Sequence, residues 1–243
     1  MARGAWRTAV PLPGGRHGPL PPLLLVLTVV SGMIDAVSYL TLGHVFVANM
    51  TGNVVFLGFA LAGAPGFSLA ASLTALTAFA CGAFLGGRLL AGVPHRGQAL
   101  LRATAAETLL VAAAAVLLAV QPVVTLTQSN SSRYLAIAVA AVGMGIQNAT
   151  VAVLAVPDLT TTVLTRTLTG IFAAPEDAGR WGEPTGRRLL SVLTLALGAV
   201  AGGLLVLHTS QSASLAVPAA LAAAVAVAAL RSVGSGAGWT RPA

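Results

Sequence analysis

Six long apolar runs, at about 20–42, 68–92, 103–121, 133–155, 187–208 and 213–231, leave this chain one class of fold. Each approaches the roughly 20 residues that a helix needs to cross a hydrocarbon core. Of the 243 residues, 56% are hydrophobic and 8% charged, whereas about a quarter of an ordinary soluble domain is charged. No soluble interior of this size accommodates that much apolar surface. Runs of this length satisfy their own backbone in lipid only as helices. The expectation is an all-α, polytopic membrane protein with the lipid bilayer as its first partner.

Two shorter apolar segments, 51–63 and 159–173, follow polar-dotted sequence, and arginine placement decides what they do. The basic residues gather in the leader, in 88–102 (Arg88, Arg96, Arg102), in 174–188 (Arg180, Arg187, Arg188) and at the C-terminal end (Arg231, Arg241). The stretches 43–67, 122–132 and 209–212 contain no arginine. Short loops rich in arginine stay cytoplasmic. All the basic clusters share one face only if both short segments turn back, so the reading is six transmembrane helices plus two short re-entrant half-helices. It places the chain in the cell (plasma) membrane with both termini cytoplasmic. The apolar run from Leu20 continues through Asp35 to Leu42 without a small-x-small cleavage site, so it reads as a first span and not as a signal peptide.

The chain also echoes itself. Cys81-Gly82-Ala83-Phe84-Leu85-Gly86-Gly87 matches Leu197-Gly198-Ala199-Val200-Ala201-Gly202-Gly203, and Gly32-Met33-Ile34-Asp35-Ala36 loosely matches Gly145-Ile146-Gln147-Asn148-Ala149. Thr51-Gly52-Asn53-Val54-Val55 pairs with Thr160-Thr161-Thr162-Val163-Leu164. Three spans per copy invert the second copy, so these echoes predict an inverted 3+3 repeat, an arrangement many transporters share. The expected organisation is a disordered cytoplasmic leader over 1–19, a first membrane repeat over 20–121, a second over 133–231 and a disordered tail over 232–243.

Several of these motifs carry a family likeness. Ser31-Gly32-Met33-Ile34-Asp35-Ala36-Val37-Ser38-Tyr39-Leu40 and Phe46-Val47-Ala48-Asn49-Met50-Thr51-Gly52-Asn53 supply it in the first half. Gly145-Ile146-Gln147-Asn148-Ala149 and Val156-Pro157-Asp158-Leu159-Thr160-Thr161-Thr162 supply it in the second. With these motifs the chain resembles the YoaK-like family, bacterial multi-pass membrane proteins grouped as a domain of unknown function. The resemblance implies a membrane location, and it implies neither a reaction nor a catalytic residue.

Chemistry must come from the few polar residues inside apolar sequence. Asp35 sits about two turns from the end of the first run, where a charge costs roughly 2.5–3.5 kcal/mol on insertion scales and calls for a partner, a proton or water. It reads as a lining residue, or as a structural carboxylate bonded to a neighbouring helix such as the one bearing Arg166. Asn49, Thr51 and Asn53 combine helix-capping side chains with Gly52, which lets backbone approach closely. Asp158, Thr160, Thr161 and Thr162 follow Pro157 in the same way. Two half-helix N-termini at the midplane suit a small polar or anionic solute. The plainer reading is that these side chains satisfy broken backbone. Gln147 and Asn148 occupy the place of Asp35 in the second copy, with hydrogen bonding between helices as their plainer use. The Gly82-x-x-x-Gly86 and Gly198-x-x-x-Gly202 spacings signal close helix packing.

Enzyme chemistry finds little support. His17, His44, His95 and His208 lie in or near separate connections, Cys81 is the one cysteine, and the chain contains no lysine. Glu107 reads as one turn into a helix, where it complements the dipole; Glu176, Asp177 and Glu183 read as solvated. The expectations are therefore no metal, no cofactor and, although the net charge is +7, no nucleic acid. A small-solute transporter or channel is the leading reading. A membrane scaffold or assembly protein and an intramembrane enzyme are the alternatives, with a homo-oligomer left open.

Overall fold

The computed structural model describes residues 6, 8–10, 17–120, 130–157, 159, 167–169, 171 and 183–241. All regular elements among them are helical. Six helices have the length and composition to cross a membrane: α1 (Leu20–Thr41), α3 (Leu69–Leu90), α4 (Arg96–Val120), α5 (Asn130–Leu154), α6 (Glu183–His208) and α7 (Gln211–Ser232). The short α2 (Met50–Leu61) lies between α1 and α3. Its 12 residues span only about 18 Å, too little for a roughly 30 Å core. The second short segment, 159–173, falls largely outside the described residues.

Local sequence sets the helix ends. Pro21 and Pro22 open α1, where the absent N–H groups would have no intrahelical partner. Ser68 caps α3 by accepting from the Ala71 amide at 3.2 Å, and Ser210 caps α7 by accepting from Ala213 at 3.3 Å. The expected start of the third span, 103, moves back to Arg96. Arg96, Gln98 and Arg102 looked like loop because they are polar, yet they continue the helix beyond the apolar stretch. Glu107 consequently lies eleven residues inside α4, about 16 Å from its start, near the middle of the helix and far from the first turn.

α1 and α5 are the enclosed helices, while α3 and α6 turn most of their surface outward. α3 packs along α5, α6 along α1, α4 along α7, α4 along α5 and α7 along α1. Exchanging α1 with α5, α3 with α6 and α4 with α7 leaves this set of pairs unchanged. Glycines make the tightest crossings. A Cβ on Gly82 would meet the Val142 backbone, and one on Gly198 the Val29 backbone. Gly86 lies against Ile146 and Ala149 as Gly202 lies against Met33 and Ala36. Outward-facing Phe84, Leu109, Leu197 and Leu207 are 61–75% exposed and form the surface that lipid covers.

The ends of the bundle differ. At one end Trp239, in a 3-10 turn at Gly238–Thr240, covers Gly18, and His95 Nε2 lies 3.1 Å from Ser235 O. The glycine-rich composition there predicted disorder from 232 onward, but the described residues up to 241 fold over this end because Trp239 has an apolar surface to cover.

The glycine contacts predict that Gly82→Val and Gly198→Val each cost about 1–3 kcal/mol through overpacking, whereas Gly87→Ala and Gly203→Ala, which face open space, are neutral. Unfolding by SDS titration in mixed micelles measures both pairs.

Candidate functional site

The connection between α1 and α2 folds back into the bundle instead of passing over its end. His44 Nδ1 lies 3.0 Å from Gly66 O, which brings the residues after α1 close to those before α3. Between those points Val45, Val47 and Ala48 are buried. Their backbone is irregular, and lipid offers it no hydrogen bonds. Asp35 and Asn53 supply them. Asp35 Oδ1 accepts from the Val47 amide at 3.0 Å and the Ala48 amide at 2.8 Å. Fully buried Asn53 accepts from the Phe46 amide at 2.9 Å and donates Nδ2 to the Phe46 carbonyl at 2.6 Å.

Asn49 caps α2, its Oδ1 facing the Gly52 amide at 3.4 Å. A side chain at Gly52 would strike the Phe46 ring, which explains glycine between Thr51 and Asn53. Phe46 stacks on Tyr39 with centroids 5.2 Å apart, and Phe56 and Phe67 extend the aromatic packing. Thr51 is exposed.

A second polar cluster crosses the middle of the bundle. The Gln147 amide on α5 sits between Ser31 Oγ on α1, at 2.8 Å, and the Glu107 carboxyl on α4, whose Oε2 is 3.1 Å away. Glu107 and Ser31 are fully buried and Gln147 is 1% exposed. One turn along their helices, Thr28, Thr104 and Thr150 are buried too, with each hydroxyl donating to a carbonyl of its own helix. At the Trp239 end, buried Arg96 donates to Leu154 O at the α5 C-terminus, where a cation complements the dipole, and lies 3.5 Å from His17 Nδ1.

The structure thus brings Asp35, Asn49, Thr51 and Asn53 together around one loop, and joins Gln147 to Glu107 and Ser31. Asn148 donates to Met144 O at 2.9 Å. Asp158, Thr160, Thr161, Thr162 and Arg166 lie outside the described residues. Glu107 and Ser31 were missed as site residues. A lone carboxylate followed by thirteen residues without a charge, Thr108 to Val120, was the available signal, and the misplaced helix start hid it. Among the described residues no group of three or more His, Cys, Asp or Glu side chains is arranged to hold a metal ion.

Six apolar spans with polar side chains satisfying interior backbone define an all-helical, multi-pass integral membrane protein. The chain belongs to the family described as Protein of unknown function (DUF1275), which matches residues 23–228. It is similar to the UPF0700 transmembrane protein YoaK of Bacillus subtilis (strain 168), with 33% identity over 153 residues, 62% of this chain and 64% of that protein. The match thus spans a little under two thirds of the relative's length. No solved structure matches the chain.

Asp35→Ala orphans two buried amides, so it is expected to destabilise the protein by roughly 1–3 kcal/mol per amide, while Asp35→Asn, which keeps an acceptor, destabilises less. SDS unfolding of both variants measures this; an Asp35→Ala protein as stable as the parent contradicts the assigned role.

Proposed function

We propose that this protein is a transporter or channel for a small polar or anionic solute, built as an inverted 3+3 repeat with a re-entrant half-helix in each half. One observation carries the reading: the 43–49 connection is drawn inward to Asp35, two turns below the end of α1, and α2 begins there. Non-helical backbone at such depth is tolerated where it is enclosed by protein or lines a water-filled cavity. It is also how broken helices place their positive ends near a substrate.

The repeat is supported by the exchangeable helix pairs and by glycine contacts that recur between α1–α6 and α5–α3. In this reading Asn49 and Thr51 face the solute, and Asp35 and Asn53 hold the loop that positions them. Asp158, Thr160, Thr161 and Thr162 provide the counterpart in the second half, and Asn148 takes the place of Asp35. Two copies of three spans make six crossings, which put both termini on one side. Arg88, Arg96, Arg102, Arg187, Arg188 and Arg231 lie at the ends of spans on that side, which supports a cytoplasmic orientation. A membrane scaffold is the second reading, favoured by the use of Asp35 and Asn53 on backbone, and it requires no aqueous path.

Thr51→Cys in a Cys81→Ala background separates the two. In proteoliposomes assayed with a panel of small anions and neutral polar solutes, the transport reading predicts protein-dependent flux. It also predicts that a water-soluble thiol reagent reaches Cys at position 51 and blocks that flux. An unreactive thiol together with no flux for any solute favours the scaffold.

A further inference from the structure

We propose that Glu107, Gln147 and Ser31 form a proton-binding site inside the helix bundle, in which the Gln147 amide turns over as the Glu107 carboxyl gains or loses its proton. The inference goes beyond the transport reading and stands whether or not the chain carries a solute.

The geometry allows the Gln147 amide two orientations, each with its own hydrogen-bond pattern. With the Gln147 nitrogen toward Ser31, it donates to Oγ at 2.8 Å, and the Ser31 hydroxyl donates onward to Leu27 O at 3.0 Å. The Gln147 oxygen then faces the Glu107 carboxyl, an acceptor opposite acceptors unless the carboxyl carries a proton and donates it. With the amide turned over, its nitrogen donates to both Glu107 oxygens, and its oxygen accepts from Ser31 Oγ at 2.8 Å. This second pattern suits an ionised carboxylate, and the Ser31 hydroxyl leaves Leu27 O to make it. The nearer carboxyl oxygen stands 2.5 Å from the amide atom.

Among the described residues no other group takes over this role. Around Glu107, α5 presents only Gln147, since it has no titratable residue between Tyr134 and Leu154. α7 has none before Arg231 at its end, and the Gly238–Thr240 turn has none. α3 carries Cys81, which is exposed, and Arg88 in its last turn. α1 contributes Ser31, with Asp35 one turn further on and already bonded to Val47 and Ala48. No ion pair to Glu107 occurs among the described residues. Among the described residues the Gln147 amide is the polar side chain set against the Glu107 carboxyl, so a change in the carboxyl's proton state changes which amide orientation is favoured. The proton balance is simple: deprotonation releases one proton to the aqueous phase, and the three helices α1, α4 and α5 stay linked while the bonds reverse direction.

Infrared difference spectroscopy of the full chain in lipid nanodiscs tests this. The C=O stretch of a protonated carboxylic acid is expected at low pH, with loss on alkalinisation accompanied by a change in the glutamine amide band. Carbon-13 labelling of glutamate side chains should shift the acid band, which identifies glutamate without any substitution, even if variants fold poorly. Glu107→Gln should abolish it, Asp35→Asn should retain it, and Gln147→Met, which leaves the carboxylate no donor, should keep it through the pH at which the parent loses it. A band that does not shift with glutamate label, survives Glu107→Gln, never titrates, or titrates identically in Gln147→Met overturns the proposal.

Discussion

A hydrocarbon solvent cannot hydrogen-bond to an irregular peptide, and the structure is organised around the place where this chain is irregular inside the bundle. Val45, Val47 and Ala48 are buried in backbone that belongs to no helix. Asp35 meets two of the amides and Asn53 meets both polar groups of Phe46. With Asn49 capping α2, those two side chains fix where the helix starts and hold Phe46 as the base of its packing with Tyr39 and Phe56. The two turns of α1 beyond Asp35 exist to carry the chain past the loop that returns beside them.

The rest of the bundle answers a second consequence of the same solvent. Apolar helices gain little by leaving lipid for one another, so close backbone approach has to supply the attraction. Gly82, Gly86 and Gly145 provide it between α3 and α5, and Gly198, Gly202 and Gly32 between α6 and α1. The polar cluster of Ser31, Glu107 and Gln147 adds directional bonds where α1, α4 and α5 meet. A bundle held mainly by small residues has smooth interfaces, and a few interior hydrogen bonds then decide its register.

Much of the fold was legible in the sequence because each span announces itself by length and apolarity, and the glycine echoes point to the helices that pack. The loop was legible in part: the Asn49-to-Asn53 pattern marks a helix start, but nothing local reveals that Asp35, twelve residues before Val47, is the acceptor for its amides. Glu107 illustrates the opposite failure. Polar residues Arg96, Gln98 and Arg102 made the helix seem to begin later than it does, which moved a carboxylate from the middle of α4 to a first turn. Helix ends that run past the apolar stretch carry no hydropathy signal, so position along a helix read from apolar boundaries is wrong by the length of that overhang. Ser31 could not be found at all without the helix pairing, because its partner lies on α5.

Hydrogen–deuterium exchange of the protein in nanodiscs tests the inward-held loop most directly. If Asp35 and Asn53 fix residues 43–49 inside the bundle, a peptide covering Val45 to Ala48 should exchange as slowly as the middles of α1 and α5, and far more slowly than the 62–67 turn. Exchange of that peptide as fast as the turn would contradict the account.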